Sequence, residues 1–217
     1  MNNVKAIRRL LQYRTCLEKL DEIGFDRVFS HTLGEETGTS PEQVRKDFSK
    51  FGITGNRRGG YQIKHLIKIL DETFGKHETQ KVILIGMGNI GRALSHYRGF
   101  ARKKIEIAAA FEIDPVKIGK KVAVPVFSLA NLNSFLSQNP IQIAILAIPE
   151  SQAQAVCDKL IECGIRGIMN FAPIVLKVPD GIGVNNINLS YELEGLIYHT
   201  SPRIHDSLNN GSGKPAP

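Results

Sequence analysis

Long apolar runs are missing from this chain of 217 residues. The longest, Ile143 to Ile148, stops well short of the ~20 residues that a membrane-spanning helix needs. The opening MNNVKAIRRLL is positively charged but has neither an apolar core nor a small-residue cleavage site, so it reads as a helix start and not a secretory leader. Cysteine is scarce too. Cys16, Cys157 and Cys163 make no pairing framework, and no Cys/His cluster has zinc-ligand spacing. These gaps point to a cytoplasmic protein with no membrane anchor and no metal. At 42% hydrophobic and 23% charged residues, the composition is that of an ordinary globular protein. The length suits one large or two small domains.

Acidic residues are sparse in one particular stretch. Residues 40–70 carry seven Lys or Arg against Glu42 and Asp47, a local net charge of +5 within an overall +7. Charge alone would fit a solvated face; the elements that carry it suggest more. Leu10, Leu11, Leu17 and Leu20 recur at helical spacing, which predicts an amphipathic helix from Val4 to Ile23 ended by Gly24. A short helix fits 31–37, with Ser30 as N-cap and Gly38 closing it. In SPEQVRKDFSKFG, Ser40 is an N-cap, Pro41 suits the first helical position, and Gln43 completes a capping-box pattern. Val44, Phe48 and Phe51 share one face of that helix; Gln43, Lys46 and Lys50 take the opposite one, with Arg45 and Ser49 on the flanks. Two helices around a tight turn, the second with an exposed basic face, make a helix-turn-helix. ITGNRRGGYQI (53–63) reads as two short strands around a turn bearing Arg57 and Arg58, the wing of a winged helix, and IKHLIKILDETF as a further helix. A small helical cap on an enzyme would have no reason to gather basic side chains on both a helix and a neighbouring hairpin. The expected DNA-reading residues are Gln43, Arg45, Lys46, Ser49, Lys50, Arg57 and Arg58.

A polar linker at 75–80 separates this module, residues 1–74, from a second one at 81–187. KVILIG is a buried strand that runs into GMGNIG, and a helical pattern from Arg92 to Phe100 follows. Strand, glycine turn and helix are the context a dinucleotide-binding turn requires. Gly86, Met87, Gly88, Asn89, Ile90 and Gly91 would line the phosphates: Gly86 for the tight turn, Gly88 for backbone approach, Gly91 for helix–strand packing. The next strand, IEIAAAFEID, ends in Glu112 and Asp114; Glu112 lies 21 residues after Gly91, placed to bond ribose hydroxyls and to favour NAD over NADP. PVFSLANLNSFL (125–136) gives a short strand and a helix, and further strands at 141–148 and 166–171 flank a helix at 151–163, which predicts a doubly wound, mostly parallel α/β sheet of Rossmann type.

Catalytic groups are the last absence. No tyrosine has a lysine four residues later, the histidines are scattered, and Cys157 and Cys163 have no basic partner nearby in sequence. Little chain remains for a substrate domain. The expectation is therefore a non-enzyme in which the grip detects the cofactor; a small NAD-dependent oxidoreductase is the alternative from another class. NLSYELEGLIYH (188–199) reads as a helix with Leu189, Leu193, Leu196 and Ile197 on one side, either packed on its own domain or pairing subunits. The tail from 201 on is polar, rich in Gly and Pro, and has the composition of a disordered segment.

QVRKDFSKFG, RRGGY, VILIGMGNIGRAL, GIRGIMNFAP and LSYELEGL, in this order, resemble the signatures of the Rex family of redox-sensing transcriptional repressors. The resemblance covers about residues 4–199. It implies a homodimer with winged helices at one end, Rossmann domains at the other and an exchanged C-terminal helix at 188–200. It also implies NAD and NADH as sensed ligands, and a double-stranded inverted-repeat operator released when NADH replaces NAD. Two positions depart from the family. An Arg of the first helix is Thr15 here, with Arg14 shifted by one, and an Asp before the C-terminal helix is Asn188; the third partner, a cofactor-side tyrosine, is kept as Tyr97. In the family these residues connect cofactor state to DNA-binding geometry. The uncharged pair lacks charge assistance, so a Rex-like protein with weak coupling is a further reading.

Overall fold

The computed structural model describes residues 2–53, 59–75, 78–119 and 123–201, residues 2–4 by backbone only. The chain divides into two compact units, Met1–Thr79 and Gln80–Pro217. Arg57, Arg58 and the tail beyond 201 lie outside the described residues.

In the first unit, α1 (Asn2–Glu22) buries Leu10, Tyr13 and Leu17 completely and Leu20 in part. Tyr13 takes the place expected for Leu11, which is exposed: the buried stripe steps three to four residues at a time, and Leu11 falls one residue off it. After β1 (Arg27–Val28) comes α2 (Ser30–Thr37). Ser30 is its first residue rather than its cap; extended Phe29 holds the cap position with no side-chain bond, and Gly38 closes the helix in the left-handed region at φ 63°. The next helix, α3 (Pro41–Lys50), starts as its sequence predicts, with Ser40 Oγ accepting from Gln43 N–H at 3.2 Å. The reciprocal half of the capping box is not made, because the Gln43 side chain donates to Asp47 instead. Two elements complete the unit, β2 (Tyr61–Gln62) and α4 (Ile63–Thr73). Strand β2 pairs antiparallel with β1, Arg27 opposite Gln62 and Val28 opposite Tyr61, so this pairing joins the hairpin region to the chain ahead of α2. Val44, Phe48, Ile63, Leu66 and Leu70 fill the core beneath α1.

The second unit is a six-stranded sheet built from β3 (Gln80–Ile85), β4 (Ile105–Glu112), β5 (Val126–Ser128), β6 (Ile143–Leu146), β7 (Gly167–Asn170) and β8 (Gly183–Asn186). Every pairing is parallel, in the order β5–β4–β3–β6–β7–β8. That is the strand order of dinucleotide-binding doubly wound sheets, with a switch point between β3 and β6. Ile83, Ile85, Phe111 and Leu146 pack on one face beneath α7 (Leu132–Gln138) and α8 (Glu150–Glu162). Val82, Leu84, Ala110 and Ile145 pack on the other, with Leu94 of α5 (Asn89–Ser95) and Phe100 of α6 (Gly99–Arg102). Burial on both faces is why β3 reads as an unbroken apolar run. The single helix expected over 92–100 is two helices, with Gly99, a poor residue for a helix interior, opening the second. Beyond β8 comes α9 (Leu189–His199).

Candidate functional site

At the carboxyl ends of β3, β4 and β6, where the strand order reverses, a cavity of about 300 Å3 opens. Gly86 and Gly88 form its wall on the β3 side, Glu112, Ile113, Asp114 and Lys117 on the β4 side, and Ala147, Ile148 and Pro149 on the β6 side. Phe111, Leu129 and Val156 supply an apolar floor, with Gln152 at the rim. The turn that borders it admits only glycine at two places. Gly86 has φ +94°, and a Cβ there would collide with the Ala147 carbonyl. A Cβ on Gly91 would drive into the Gly86 carbonyl, so α5 sits on β3 as closely as backbone allows. Above Gly88 there is open space. No side chain caps α5, which leaves its first N–H groups for a ligand.

Met87 is buried, and its N–H donates to Glu112 Oε2 at 2.9 Å. Glu112 is 8% exposed and accepts two more main-chain N–H groups, from Ile113 at 2.7 Å and Asp114 at 3.2 Å. Burial alone would raise its pKa; these main-chain donors, with Lys117 nearby, outweigh burial and hold the carboxyl below its ordinary value. Asn89 Oδ1 accepts from Arg92, and Ile90 is exposed. Tyr97 stands clear of the cavity, 60% exposed, its ring edge-to-face with Phe100 and lying over Gly99. Sequence reasoning passes over Lys117 and Gln152, and also Asn170. Asn170 is fully buried at the end of β7, donating to Ala172 O, Ile174 O and Asn186 Oδ1 and accepting from Ala172 N–H. Its place within MNFAP is the available signal.

In the first unit, α3 presents Arg45, Lys46, Ser49 and Lys50 to solvent. Arg45 is held by Glu42 and Ser30, both at 2.9 Å. Gln43 is half-buried and turned inward. Asp47, on the inner side of α3, is completely buried. It accepts from Arg9 Nε at 2.6 Å and Nη2 at 2.7 Å, from Tyr13 Oη at 3.1 Å, and from Gln43 Nε2 at 2.8 Å. Burial would raise the Asp47 pKa, but the bonds from Arg9, Gln43 and Tyr13 hold it below its ordinary value. Thr15 is exposed on α1, its hydroxyl donating to Leu11 O at 3.0 Å. Its neighbour Arg14 is largely buried and bonded to Asp71 and Glu18, both at 2.5 Å. Asn188 caps α9, Oδ1 accepting from Tyr191 N–H at 3.1 Å. Among the described residues, no group of His, Cys, Asp and Glu is placed to hold a metal ion, and no helix is long and apolar enough to cross a membrane.

Two family models match these two units: putative DNA-binding protein N-terminus over residues 4–49 and CoA binding domain over 77–174. The redox-sensing transcriptional repressor Rex of Chloroflexus aurantiacus is 38% identical over 195 residues, 89% of this chain and 92% of that protein. Rex of Listeria welshimeri is 36% identical over 192 residues, 88% and 89% of the two chains. The chain belongs to the Rex family. A solved Rex-family repressor, RSP in complex with β-NAD+ and operator DNA, superimposes with a TM-score of 0.87 at 33% identity, covering 97% of this chain and 98% of that one. RSP in complex with β-NADH gives 0.82 at 34%, covering 94% and 97%. Both family-model matches thus fall on a Rex pattern: a DNA-binding N-terminus ahead of a Rossmann sheet.

Proposed function

We propose that this Rex-family protein is a transcriptional repressor that binds operator DNA and senses the NADH/NAD balance, NADH releasing the DNA. The observation that carries this reading is the agreement over nearly the whole chain with a repressor solved both with β-NAD+ and operator DNA and with β-NADH. The geometry supports it. Lys46, Ser49 and Lys50 form an exposed basic face that suits a major groove, and the cavity at the strand switch point suits a dinucleotide. Gly86, Gly88 and Gly91 serve the pyrophosphate turn, and Glu112 with Asp114, at the end of β4, the adenosine ribose. Burial pushes the Cys157 thiol up, away from nucleophilic character, which supports a binding role over a catalytic one.

The functional unit is a cytoplasmic homodimer joined through α9. That helix buries none of its residues in its own chain: Leu189, Leu193, Leu196 and Ile197 are 56–61% exposed. Two such subunits match a two-fold operator. A weaker redox response than in relatives retaining Arg and Asp is favoured by the local bonding of Thr15, Asn188 and Arg14. The deciding experiment is an operator titration with NAD and NADH. Release by NADH at concentrations where NAD leaves the complex intact supports the sensor. Turnover of an aldehyde or acid without effect on DNA would establish an oxidoreductase instead.

A further inference from the structure

The second unit carries a basic patch of its own, at the opposite end of β4 from the cavity. Arg-Gly-Phe-Ala-Arg-Lys-Lys (98–104) holds four cations and no acid. It consists of Arg98, helix α6 and the turn that leads into β4. Arg98, Arg102 and Lys104 are exposed, and Lys103 is half-buried. At the start of the adjoining strands, Lys81 and Glu106 are partners in register and offset one another. With Glu78, exposed just ahead of β3, the patch keeps a net charge of +3.

Lys104 has φ 56°, in the left-handed region that side chains disfavour. Every other described residue at positive φ is a glycine, nine in all. Lys104 N–H donates to Ala101 O at 3.0 Å, and Lys104 O accepts from Gln80 N–H at 2.8 Å. Both bonds are main chain, so glycine would make them without strain. A lysine kept in this backbone points to a use for its charge. A protein partner fits the patch poorly, because interface centres are rich in aromatic groups and depleted of Lys. The segment's one large apolar residue, Phe100, packs against the sheet instead. A phosphate backbone asks only for cations within reach. We infer that residues 98–104 form a second DNA contact, which meets phosphates of duplex outside the operator and adds affinity without reading sequence. The inference rests on the reading of this protein as a DNA-binding repressor.

The test titrates the full-length protein, across a salt series, with a duplex confined to the operator and with one extended on both sides. On the extended duplex the unaltered protein shows a steeper salt dependence, by about 0.9 in slope for each flanking phosphate met. The triple variant Arg98→Gln, Arg102→Gln, Lys104→Gly loses that excess. It binds the extended duplex about tenfold more weakly at low salt, and the operator-only duplex within about twofold of the unaltered protein. Lys104→Gly alone removes the strain together with the charge, so the melting temperature holds or rises while extended-duplex affinity falls. A lysine with a purely structural role would give the reverse, a lower melting temperature and unchanged binding, and that result overturns the inference. So do equal losses on both duplexes, which place these cations on the operator itself. Unchanged binding of both by the triple variant also overturns it, leaving a solvated face or one for an acidic protein. Failure of the unaltered protein to bind the operator-only duplex would sink the repressor reading, and this inference with it.

Discussion

Arg9→Ala should loosen α3, because it strips the cationic partner from a buried carboxylate. Asp47 has no solvent exposure, and Arg9 meets it with two nitrogens at 2.6 and 2.7 Å. Removing one member of a buried ion pair costs about 3–5 kcal/mol, since the other charge is left without compensation. Tyr13 and Gln43 still donate to Asp47 in the variant, which places the cost near the lower end, about 3 kcal/mol. Against a total stability of about 5–15 kcal/mol this is severe but survivable. Amide hydrogen exchange of the full-length protein, resolved to α1 and α3, reports the local opening free energy; about 3 kcal/mol corresponds to roughly hundredfold faster exchange of the slowest amides. Tyr13→Phe removes one donor to the buried carboxylate and should cost about 1.5–3 kcal/mol. The pH dependence has a definite sign. The Asp47 pKa is depressed in the folded protein, so its stabilisation is fully present above the unfolded value of about 3.9 and is lost as pH falls through the lower folded value. Asp47→Asn should lack that acid-range loss. Exchange within a factor of three of the unaltered protein for Arg9→Ala would refute the claim that this pair fixes α3 on α1.

Three further outcomes are expected. Lys46→Ala with Lys50→Ala should weaken operator binding and, where the lysines meet phosphate, lower the salt slope by about 0.9 for each phosphate no longer neutralised, with NADH affinity unchanged; wild-type operator affinity at both low and high salt would remove α3 as the reading face. Leu193→Glu, in the middle of exposed α9, should shift the protein from dimer to monomer in sedimentation velocity, and an unaltered dimer would place the interface elsewhere. Thr15→Arg combined with Asn188→Asp should steepen NADH-driven operator release by up to the ~1.5–3 kcal/mol of a charge-assisted bond, each single change doing less; additive singles in the cycle would show that the two positions are not partners.

What the sequence discloses follows from where the physics is local. The run in β3 is legible because both its faces are buried, and α3 because Ser40 and Pro41 mark its first turn. By contrast β8 is Gly-Val-Asn-Asn, with no apolar pattern to read; its pairing rests on main chain and on the Asn170–Asn186 bond at 2.8 Å. The β1–β2 pairing escapes notice because each strand is two residues long and a helix-turn-helix intervenes. Arg14 looks available to replace the missing Arg at position 15, yet one residue is ~100° around a helix. That turn sends its guanidinium to Asp71 on α4, a partner 57 residues away that no local pattern announces.

Two of the residues that sequence proposes for the sites also carry bonds inside their own unit. Gln43 and Glu112 read from sequence as groups facing a ligand; Glu112 lines the cavity, and both also bond within their own unit. Gln43 donates to a buried carboxylate, and Glu112 is one, holding Met87 N–H. The two units arrive at the same construction. On the inner side of α3 lies Asp47, beside the glycine turn lies Glu112, and each buried acid is surrounded by donors at hydrogen-bonding distance. A buried carboxylate holds such an element in one geometry, since a shift that costs it a donor is opposed by about 1–3 kcal/mol or more. Such an acid is indistinguishable in sequence from one that meets ligand, because both stand next to the motif. The difference is the number of donors the fold has already supplied. By that count the proposed contacts Asp114, half-buried, and Lys46, exposed, have less of their bonding capacity consumed within the protein than Glu112 and Gln43.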